Sequence, residues 1–158
     1  MRTVVHSETA VRSVTYVSRA TSPLTQASLE ALLVECRGNN ERSGLTGMLA
    51  VRGDDFFQVV EGPDDAISAL MDGLSRDARH TDMRVLHEET VPFRQFPDWR
   101  MRCERLDDYP VDEIPGFHAI GGGDDPAGSR TRGVLDLVRW LQLRATRALS
   151  ERNPSAAS

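Results

Sequence analysis

Residues 43–62, SGLTGMLAVRGDDFFQVVEG, constrain the fold more than any other stretch of the chain. Two apolar runs lie on either side of Gly53-Asp54, and this pattern predicts a β-hairpin with strands over residues 45–51 and 55–60. Residues 11–18 alternate roughly as a strand does, so a further strand precedes the hairpin. These patterns predict that a sheet lies at the centre of the fold.

Helical patterns stand before and after the hairpin. Thr25 is a suitable N-cap for the first helix, and Gly38 with the asparagine pair that follows it is expected to end that helix. Pro63 suits the first turn of the second helix, where its missing N–H is not needed. Residues 82–93 and 99–106 then have the patterns of a fourth and a fifth strand.

The resulting order, βαββαββ, predicts an α+β fold, the ferredoxin-like sandwich, with both helices on one face of an antiparallel or mixed sheet. Residues 104–130 are rich in Asp, Pro and Gly and predict a connector. Residues 131–151 predict an amphipathic C-terminal helix that covers the other face of the sheet, and residues 152–158 a disordered tail. The apolar stripe of this helix consists of Val134, Leu137, Val138, Leu141, Ala145 and Leu149.

Composition and charge exclude several classes of function. The formal net charge of −5 argues against direct nucleic-acid binding, which needs clustered cations. No apolar stretch approaches the roughly 20 residues that span a bilayer, and the N-terminus lacks the apolar core of a signal peptide, so a cytoplasmic protein is expected. Cys36 and Cys103 lie far apart and form no metal-like cluster, so we expect two reduced thiols and no metal site.

Gln58 stands inside an apolar run, where a strand ordinarily buries another hydrophobe. Burying an amide without partners costs about 1–3 kcal/mol, so a partner is expected. The first and third strands are neighbours in the ferredoxin-like order, and Tyr16 can therefore meet Gln58 on one face. Taken singly, each polar or aromatic residue fits a structural role; together they predict a site for a flat polar heterocycle between the two helices. The other residues in this group are Asn39, Asn40, Trp99 and Met101.

Five fragments resemble, in order and spacing, the BLUF domain, a blue-light sensor that uses flavin: YVSRA, RGNNERSGLTGML, FFQVVEGP, DARHTDMRVL and FPDWRM. The resemblance extends over residues 12–103, and the combination of fragments is specific. The chain is therefore identified as carrying a BLUF domain over residues 11–103. Arg100 lies where a small polar residue is frequent in the family, and this difference leaves the placement of the fifth strand open.

The resemblance implies that FAD, with FMN as the alternative flavin, lies between the two helices. It implies that Gln58 bridges Tyr16 and the flavin edge, and that Asn40 binds the same edge with Asn39 beside it. Blue light would move an electron and a proton from Tyr16 by way of Gln58, and the new hydrogen bonds would shift the absorption band to the red. The candidates for the ribityl-phosphate end are Arg37, Arg79 and His80.

The expected output is a changed surface rather than a catalysed reaction. Trp99 and Met101 share one face of the predicted fifth strand and are expected to exchange places at the pocket rim when Gln58 changes its bonding. The stretch after Glu104 is too short for an effector enzyme, so we expect a non-enzymatic protein that signals to a separate partner protein, with homo-oligomerisation left open. The C-terminal helix carries Trp140, either as part of a partner-binding surface or as core.

Two other interpretations compete with the sensor. One is a light-insensitive module for ligand binding or oligomerisation, in which Tyr16 and Gln58 are a satisfied core pair. The other is an acylphosphatase-like hydrolase, which is disfavoured because the loop after the first strand, SRATSPL, has no glycine-rich phosphate cradle.

Overall fold

The computed structural model describes residues 10–97, 99–117 and 129–152. The chain divides into two compact units, Met1–Asp108 and Tyr109–Ser158. None of the helices in the described part of the chain is both long enough and apolar enough to cross a membrane.

The first unit has the predicted βαββαββ order. The elements are β1 Val11–Ala20, α1 Gln26–Ser43, β2 Thr46–Arg52, β3 Asp55–Gly62, α2 Asp64–Ser75, β4 His80–Val91 and β5 Arg102–Arg105. The five strands form one sheet in the order β4-β1-β3-β2-β5, in which the β2–β5 pair is parallel and the other pairs are antiparallel. The α+β fold with a mixed sheet is therefore confirmed.

One apolar core joins both helices to the same face of the sheet. Leu33 of α1 and Ile67 of α2 belong to the same cluster of buried side chains as Val14 and Val60 of the two inner strands. Alternate residues of a strand point to one face, so Tyr16 on β1 and Gln58 on β3 face the helices as well. The prediction of two helices on one face is thus confirmed.

The first helix begins as predicted and ends later than predicted. The Thr25 side chain accepts a hydrogen bond from the backbone N–H of Ser28 at 3.0 Å, which confirms the N-cap. The expected end at Gly38 and the asparagine pair is wrong, because α1 continues to Ser43. The helix ends at Gly44, whose φ of 72° is the left-handed conformation that glycine adopts without strain.

The fifth strand is shorter than the predicted strand over residues 99–106. It begins at Arg102, and residues 99–101 precede it. The carbonyl oxygen of Trp99 nevertheless accepts a hydrogen bond from the Gly47 N–H at 2.8 Å, so this segment stays beside β2. The expectation that Trp99 and Met101 share one face of the fifth strand is therefore wrong, because both residues precede the strand.

The second unit contains a 3₁₀ turn, Val111–Glu113, and the helix α3, Ser129–Arg152. The predicted amphipathic pattern is borne out at Val134, Leu137, Val138 and Leu141, which are buried. The side chains of Ala145 and Leu149 lie outside the described residues. Within this unit the Trp140 ring meets the Tyr109 ring edge to face at 5.6 Å, and the Arg144 guanidinium lies over both rings.

The boundaries of the C-terminal segments differ in part from the prediction. The predicted connector over residues 104–130 includes the end of β5 and the first residues of α3. Of this connector, residues 118–128 lie outside the described residues, as do residues 153–158 of the predicted tail. The covering of the second sheet face by the C-terminal helix stays a prediction.

Candidate functional site

A cavity of about 370 Å³ opens between α1 and α2. This volume lies within the range of about 300–1,000 Å³ that small-molecule sites occupy. We call Tyr16 and Gln58, on the two central strands, the floor of the cavity; Glu35, Asp77 and Arg79 form its rim. One wall comes from α2, where small and apolar side chains recur at helical spacing: Ala66, Ala69, Leu70, Gly73 and Leu74.

The floor consists of a cross-strand hydrogen-bonded pair. Tyr16 and Gln58 are direct partners in the β1–β3 register. The Tyr16 hydroxyl donates a hydrogen bond to Gln58 Oε1 at 2.5 Å, and both side chains are buried. Gln58 Nε2 donates to the Met101 sulfur at 3.5 Å, and a thioether is a weak acceptor. The amide of Gln58, which lines the cavity, therefore keeps capacity for a further and stronger hydrogen bond.

Burial controls the protonation of the floor. It raises the pKa of Tyr16 well above the usual range of a phenol, so the hydroxyl is neutral and keeps its proton. Burial also raises the pKa of Cys36, a thiol of α1 that lines the same cavity. The floor is thus uncharged at neutral pH.

The two asparagines of α1 have different surroundings. Asn40 is buried, lines the cavity and donates a hydrogen bond from Nδ2 to the Arg100 carbonyl oxygen. Asn39 also lines the cavity but is exposed, and its Oδ1 accepts a hydrogen bond from Arg42. Asn40 is therefore fixed against the segment before β5, and Asn39 is not.

The rim is charged; Glu35 and Arg79 are exposed and Asp77 is partly buried. Arg79 contacts Glu35 at 2.8 Å and Asp77 at 2.7 Å, which sets one positive charge against two negative charges. Hydrogen bonds from Arg79 lower the pKa of Asp77 to about 2 and lower the pKa of Glu35 as well. The cation predicted for the phosphate end thus lies at the cavity, but its charge is already paired.

His80 follows Arg79, lines the cavity and is partly buried. Its Nδ1 is 3.2 Å from the Ser18 hydroxyl, and its ring packs against Phe56 with centroids 5.2 Å apart. Burial lowers the pKa of His80, which favours the neutral ring. A second cavity of about 290 Å³ shares the rim residues Glu35 and Arg79 with the first, and His80 and Phe56 line both.

Arg37 is the one predicted site residue of α1 that the structure does not bring to the cavity. Its Nε donates a hydrogen bond to the Met101 carbonyl oxygen at 3.0 Å, on the side of the helix that faces β5.

Met101, and not Trp99, contacts the floor. The Met101 sulfur accepts from Gln58, and Met101 is buried. The Trp99 ring instead packs on Phe96, with centroids 5.5 Å apart, and lies under the Arg102 guanidinium. The segment before β5 therefore reaches the floor through one side chain.

Sequence reasoning missed the wall of the cavity and its acidic rim. Ala66, Ala69 and Gly73 follow the spacing i, i+3, i+7, and this stripe of small residues was a readable signal for a groove on α2. Glu35 and Asp77 gave no such signal, because their role depends on Arg79, which is distant from Glu35 in sequence. No group of three or more potential metal ligands occurs among the described residues.

Comparison with known proteins identifies the family to which the chain belongs. The family model BLUF, described as sensors of blue light using FAD, matches residues 11–102. The photoactivated adenylate cyclase subunit beta of Euglena gracilis is 32% identical over 95 residues, which are 60% of this chain and 11% of that protein. A second relative, the blue light- and temperature-regulated antirepressor BluF of Escherichia coli (strain K12), is 29% identical over 43% of this chain and 17% of that protein.

Solved structures give the same result. The dark-state structure of BlrB, a BLUF protein, has a TM-score of 0.61 at 28% identity and covers 82% of this chain and 99% of that chain. A structure of Klebsiella pneumoniae BlrP1 with FMN and cyclic diGMP has a TM-score of 0.58 at 29% identity, over 65% of this chain and 27% of that chain. The match to the first of the cyclase relatives covers only 11% of the length of that protein. The chain belongs to the BLUF family, the sensors of blue light that use FAD.

Proposed function

We propose that this chain is a blue-light receptor that holds FAD, or FMN as the alternative, between α1 and α2, and that Tyr16 and Gln58 are its photoactive pair. The observation that carries the proposal is the hydrogen bond from the Tyr16 hydroxyl to Gln58 Oε1 at the floor of a cavity of ligand size. The family match supports the flavin and the light.

The lining of the cavity fits a flat ring with polar edges. On one side, α2 presents Ala69 and Gly73, and a Cβ added at Gly73 would meet no heavy atom within 4 Å. On the floor and on α1, the carboxamides of Gln58 and Asn40 offer donors and acceptors at the level of a ring edge. We therefore assign Gln58 and Asn40 to the ring, with Asn39 beside them.

The rim fits the other end of the cofactor. Arg79 and His80 line both cavities. The phosphate-bearing part of the cofactor would therefore pass these two residues if it extended from the ring site toward the second cavity. Arg79 can donate to a phosphate once it releases Glu35. Arg37 has no part in this assignment, because it lines neither cavity and bonds to the Met101 carbonyl oxygen.

A bound flavin supplies, under blue light, a one-electron oxidant against the floor. Tyr16 is the donor: when the phenol loses an electron it becomes strongly acidic, and its proton can move along the existing hydrogen bond to Gln58 Oε1. Gln58 would then pass a proton from Nε2 to the bound ring and hold the imidic form, or rotate its amide, and the electron would return to Tyr16 together with a proton. Either change alters the pattern of donors and acceptors that Gln58 presents to the cavity.

The change at Gln58 reaches the chain surface through the segment before β5. Nε2 of Gln58 donates to the Met101 sulfur, and a rotated or imidic Gln58 alters that bond. Exchange of one or two hydrogen bonds shifts an equilibrium by about 1–3 kcal/mol, enough for a segment that is poised between two positions. Trp99 moves with this segment because it precedes Met101 by two residues, although it does not contact the floor.

We propose that a separate protein reads this movement and that the chain itself catalyses no reaction. The named relatives include subunits of photoactivated adenylate cyclases, in which a cyclase activity accompanies photoactivation. A pull-down carried out in darkness and under blue light tests the output: the proposal predicts a partner that binds in one condition only. Equal binding in both conditions would contradict a light-dependent surface.

Absorption spectroscopy tests the photochemistry. The purified protein is expected to be yellow and to shift its flavin band reversibly to longer wavelength under blue light. Gln58→Leu should keep the flavin and lose the shift, since leucine can neither donate nor accept a proton. The matched control is Gln26→Leu, an exposed glutamine at the start of α1, which should leave the shift intact.

The competing light-insensitive module makes the opposite prediction. If Tyr16 and Gln58 only satisfy each other, the protein will be colourless and will not take up FAD or FMN on reconstitution. A yellow protein with no light-induced shift would retain the flavin site and eliminate the sensor mechanism.

A further inference from the structure

The third strand buries a second polar residue, Glu61. This residue takes no part in the proposed proton transfer from Tyr16 to Gln58. Its side chain is 0% exposed. Glu61 follows Gln58 by three residues, so it points to the opposite face of the sheet, away from the cavity. A fully buried carboxylate on this face calls for an explanation other than flavin binding.

Stability does not explain Glu61. Burial raises its pKa, against the opposing effect of hydrogen bonds from two backbone amides. A carboxyl whose pKa is raised in the folded state stabilises the fold only when protonated, and this contribution is lost as the pH rises above the ordinary value of 4.5. The ionised side chain therefore costs stability at neutral pH.

Glu61 instead holds the loop between β4 and β5. Its Oε1 accepts hydrogen bonds from the backbone N–H groups of Gln95 at 2.7 Å and Phe96 at 2.9 Å. The preceding residue, Arg94, donates to the Thr46 hydroxyl and to the carbonyl oxygens of Gly44 and Glu61. Three consecutive residues are thus attached to the ends of β2 and β3.

The same loop leads directly to the floor. The buried ring of Phe96, whose amide binds Glu61, packs on Trp99. Trp99 is held to β2 by the Gly47 N–H, and two residues later Met101 accepts the hydrogen bond from Gln58. The described residues of this segment, 94–97 and 99–101, are therefore held at one end by Glu61 and at the other end by Gln58.

We propose that Glu61 is a positioning residue of the light response: by holding the amides of Gln95 and Phe96, it fixes the segment that places Met101 against Gln58. This inference rests on the proposed function, because it concerns the step that follows the exchange at Gln58. When Gln58 releases Met101, the Glu61 anchor determines how far the segment moves and how fast it returns.

Glu61→Gln tests the proposal, because it keeps the size of the side chain and one acceptor oxygen but removes the charge. The dark spectrum and the size of the red shift should match wild type, since Tyr16 and Gln58 are unchanged. Dark recovery should be about threefold faster or more, and amide hydrogen exchange over residues 93–101 about tenfold faster in darkness. The light-minus-dark difference in exchange of that peptide should shrink.

The matched control is Glu41→Gln, the same chemical change at an exposed position of α1, which should leave all of these values at wild type. An intact red shift in Glu61→Gln with wild-type recovery and exchange would overturn the role of Glu61 and leave the proposed function standing. Absence of any red shift in the wild-type protein would overturn the proposed function, and this inference with it.

Should Glu61→Gln fail to fold, Glu61→Asp makes the same test, since it keeps the charge but withdraws the carboxylate by one methylene. It should also accelerate exchange over residues 93–101 and dark recovery. Wild-type rates in Glu61→Asp would overturn the proposal.

Discussion

The floor and the rim of the cavity differ in charge and in burial. At the floor, Tyr16 and Gln58 are neutral and buried, and one hydrogen bond joins them. At the rim, Arg79 and Glu35 are charged, and about half of each side chain is exposed, at 53% and 51%. A hydrogen bond is electrostatically stronger in a buried site, whereas exposed charges are screened by water and salt. Under the proposed function, these differences suit the floor to the photochemistry and the rim to the strength of flavin binding.

The largest expected effect falls on the floor. Tyr16→Phe removes the hydroxyl that donates to Gln58 and should abolish the red shift while the flavin stays bound. The chain has two tyrosines, so Tyr109→Phe is a matched control and should shift as wild type does. A full red shift in Tyr16→Phe would show that the floor is not the origin of the response.

The next effect concerns the wall that holds the ring against the floor. Gly73→Leu fills open space in the cavity and should weaken FAD binding by about a hundredfold or more, measured by titration with FAD. Stability should not fall, because leucine is the better helix former by up to about 1 kcal/mol. Gly73→Ala adds one methyl group and serves as the control. Equal affinity in Gly73→Leu and wild type would place the flavin elsewhere.

Substitutions at the rim should have smaller and opposite effects on affinity. Arg79→Ala should weaken FAD binding by about tenfold, since a charge-assisted hydrogen bond to phosphate is lost. Glu35→Gln should strengthen it by up to about fivefold, because an exposed ion pair that competes for Arg79 is worth about 1 kcal/mol or less. Riboflavin, which has no phosphate, is the control ligand and should respond to neither change. Weaker FAD binding in Glu35→Gln would contradict competition at the rim.

The smallest effect is a pH dependence of stability that comes from His80. Burial lowers its pKa below the ordinary 6.5, so the stability it contributes is present above pH 6.5 and is lost as the pH falls through the folded-state value. The Tm of wild type should fall as the pH drops on that acid side, and the dependence of Tm on pH should be flatter in His80→Gln. An unchanged slope in His80→Gln would locate the titrating group elsewhere.

The sequence predicted the elements from local patterns, and it predicted the floor from the order of those elements. Strand alternation and the order of elements were enough to place Tyr16 beside Gln58, and the β1–β3 register pairs them directly. Residues whose position depends on tertiary contacts were predicted less well. Gly38 and Asn40 resembled a helix end, but α1 continues through them, with Asn40 buried and bonded to the Arg100 carbonyl oxygen. Tertiary contacts of this kind override a local stop signal.

The segment before β5 shows the same limit. A strand pattern over residues 99–106 placed Trp99 and Met101 on one face, whereas β5 begins at Arg102. The Glu61 anchor of this loop joins residues more than 30 positions apart, and no spacing along the chain indicates it. Arg37 could not be separated from its neighbours by residue type alone, since its position around α1 is decided by the contact with Met101.

The central claim is that illumination changes the bonding of the Gln58 amide. Light-minus-dark infrared difference spectra of protein with isotopically labelled glutamine test this claim most directly. The same spectra of the labelled Gln58→Leu variant are subtracted, so that the signal of Gln58 is separated from those of the other glutamines. We predict a label-sensitive amide band that shifts reversibly on illumination in wild type and is missing from Gln58→Leu. A red shift of the flavin band with no label-sensitive change in wild type would contradict the claim.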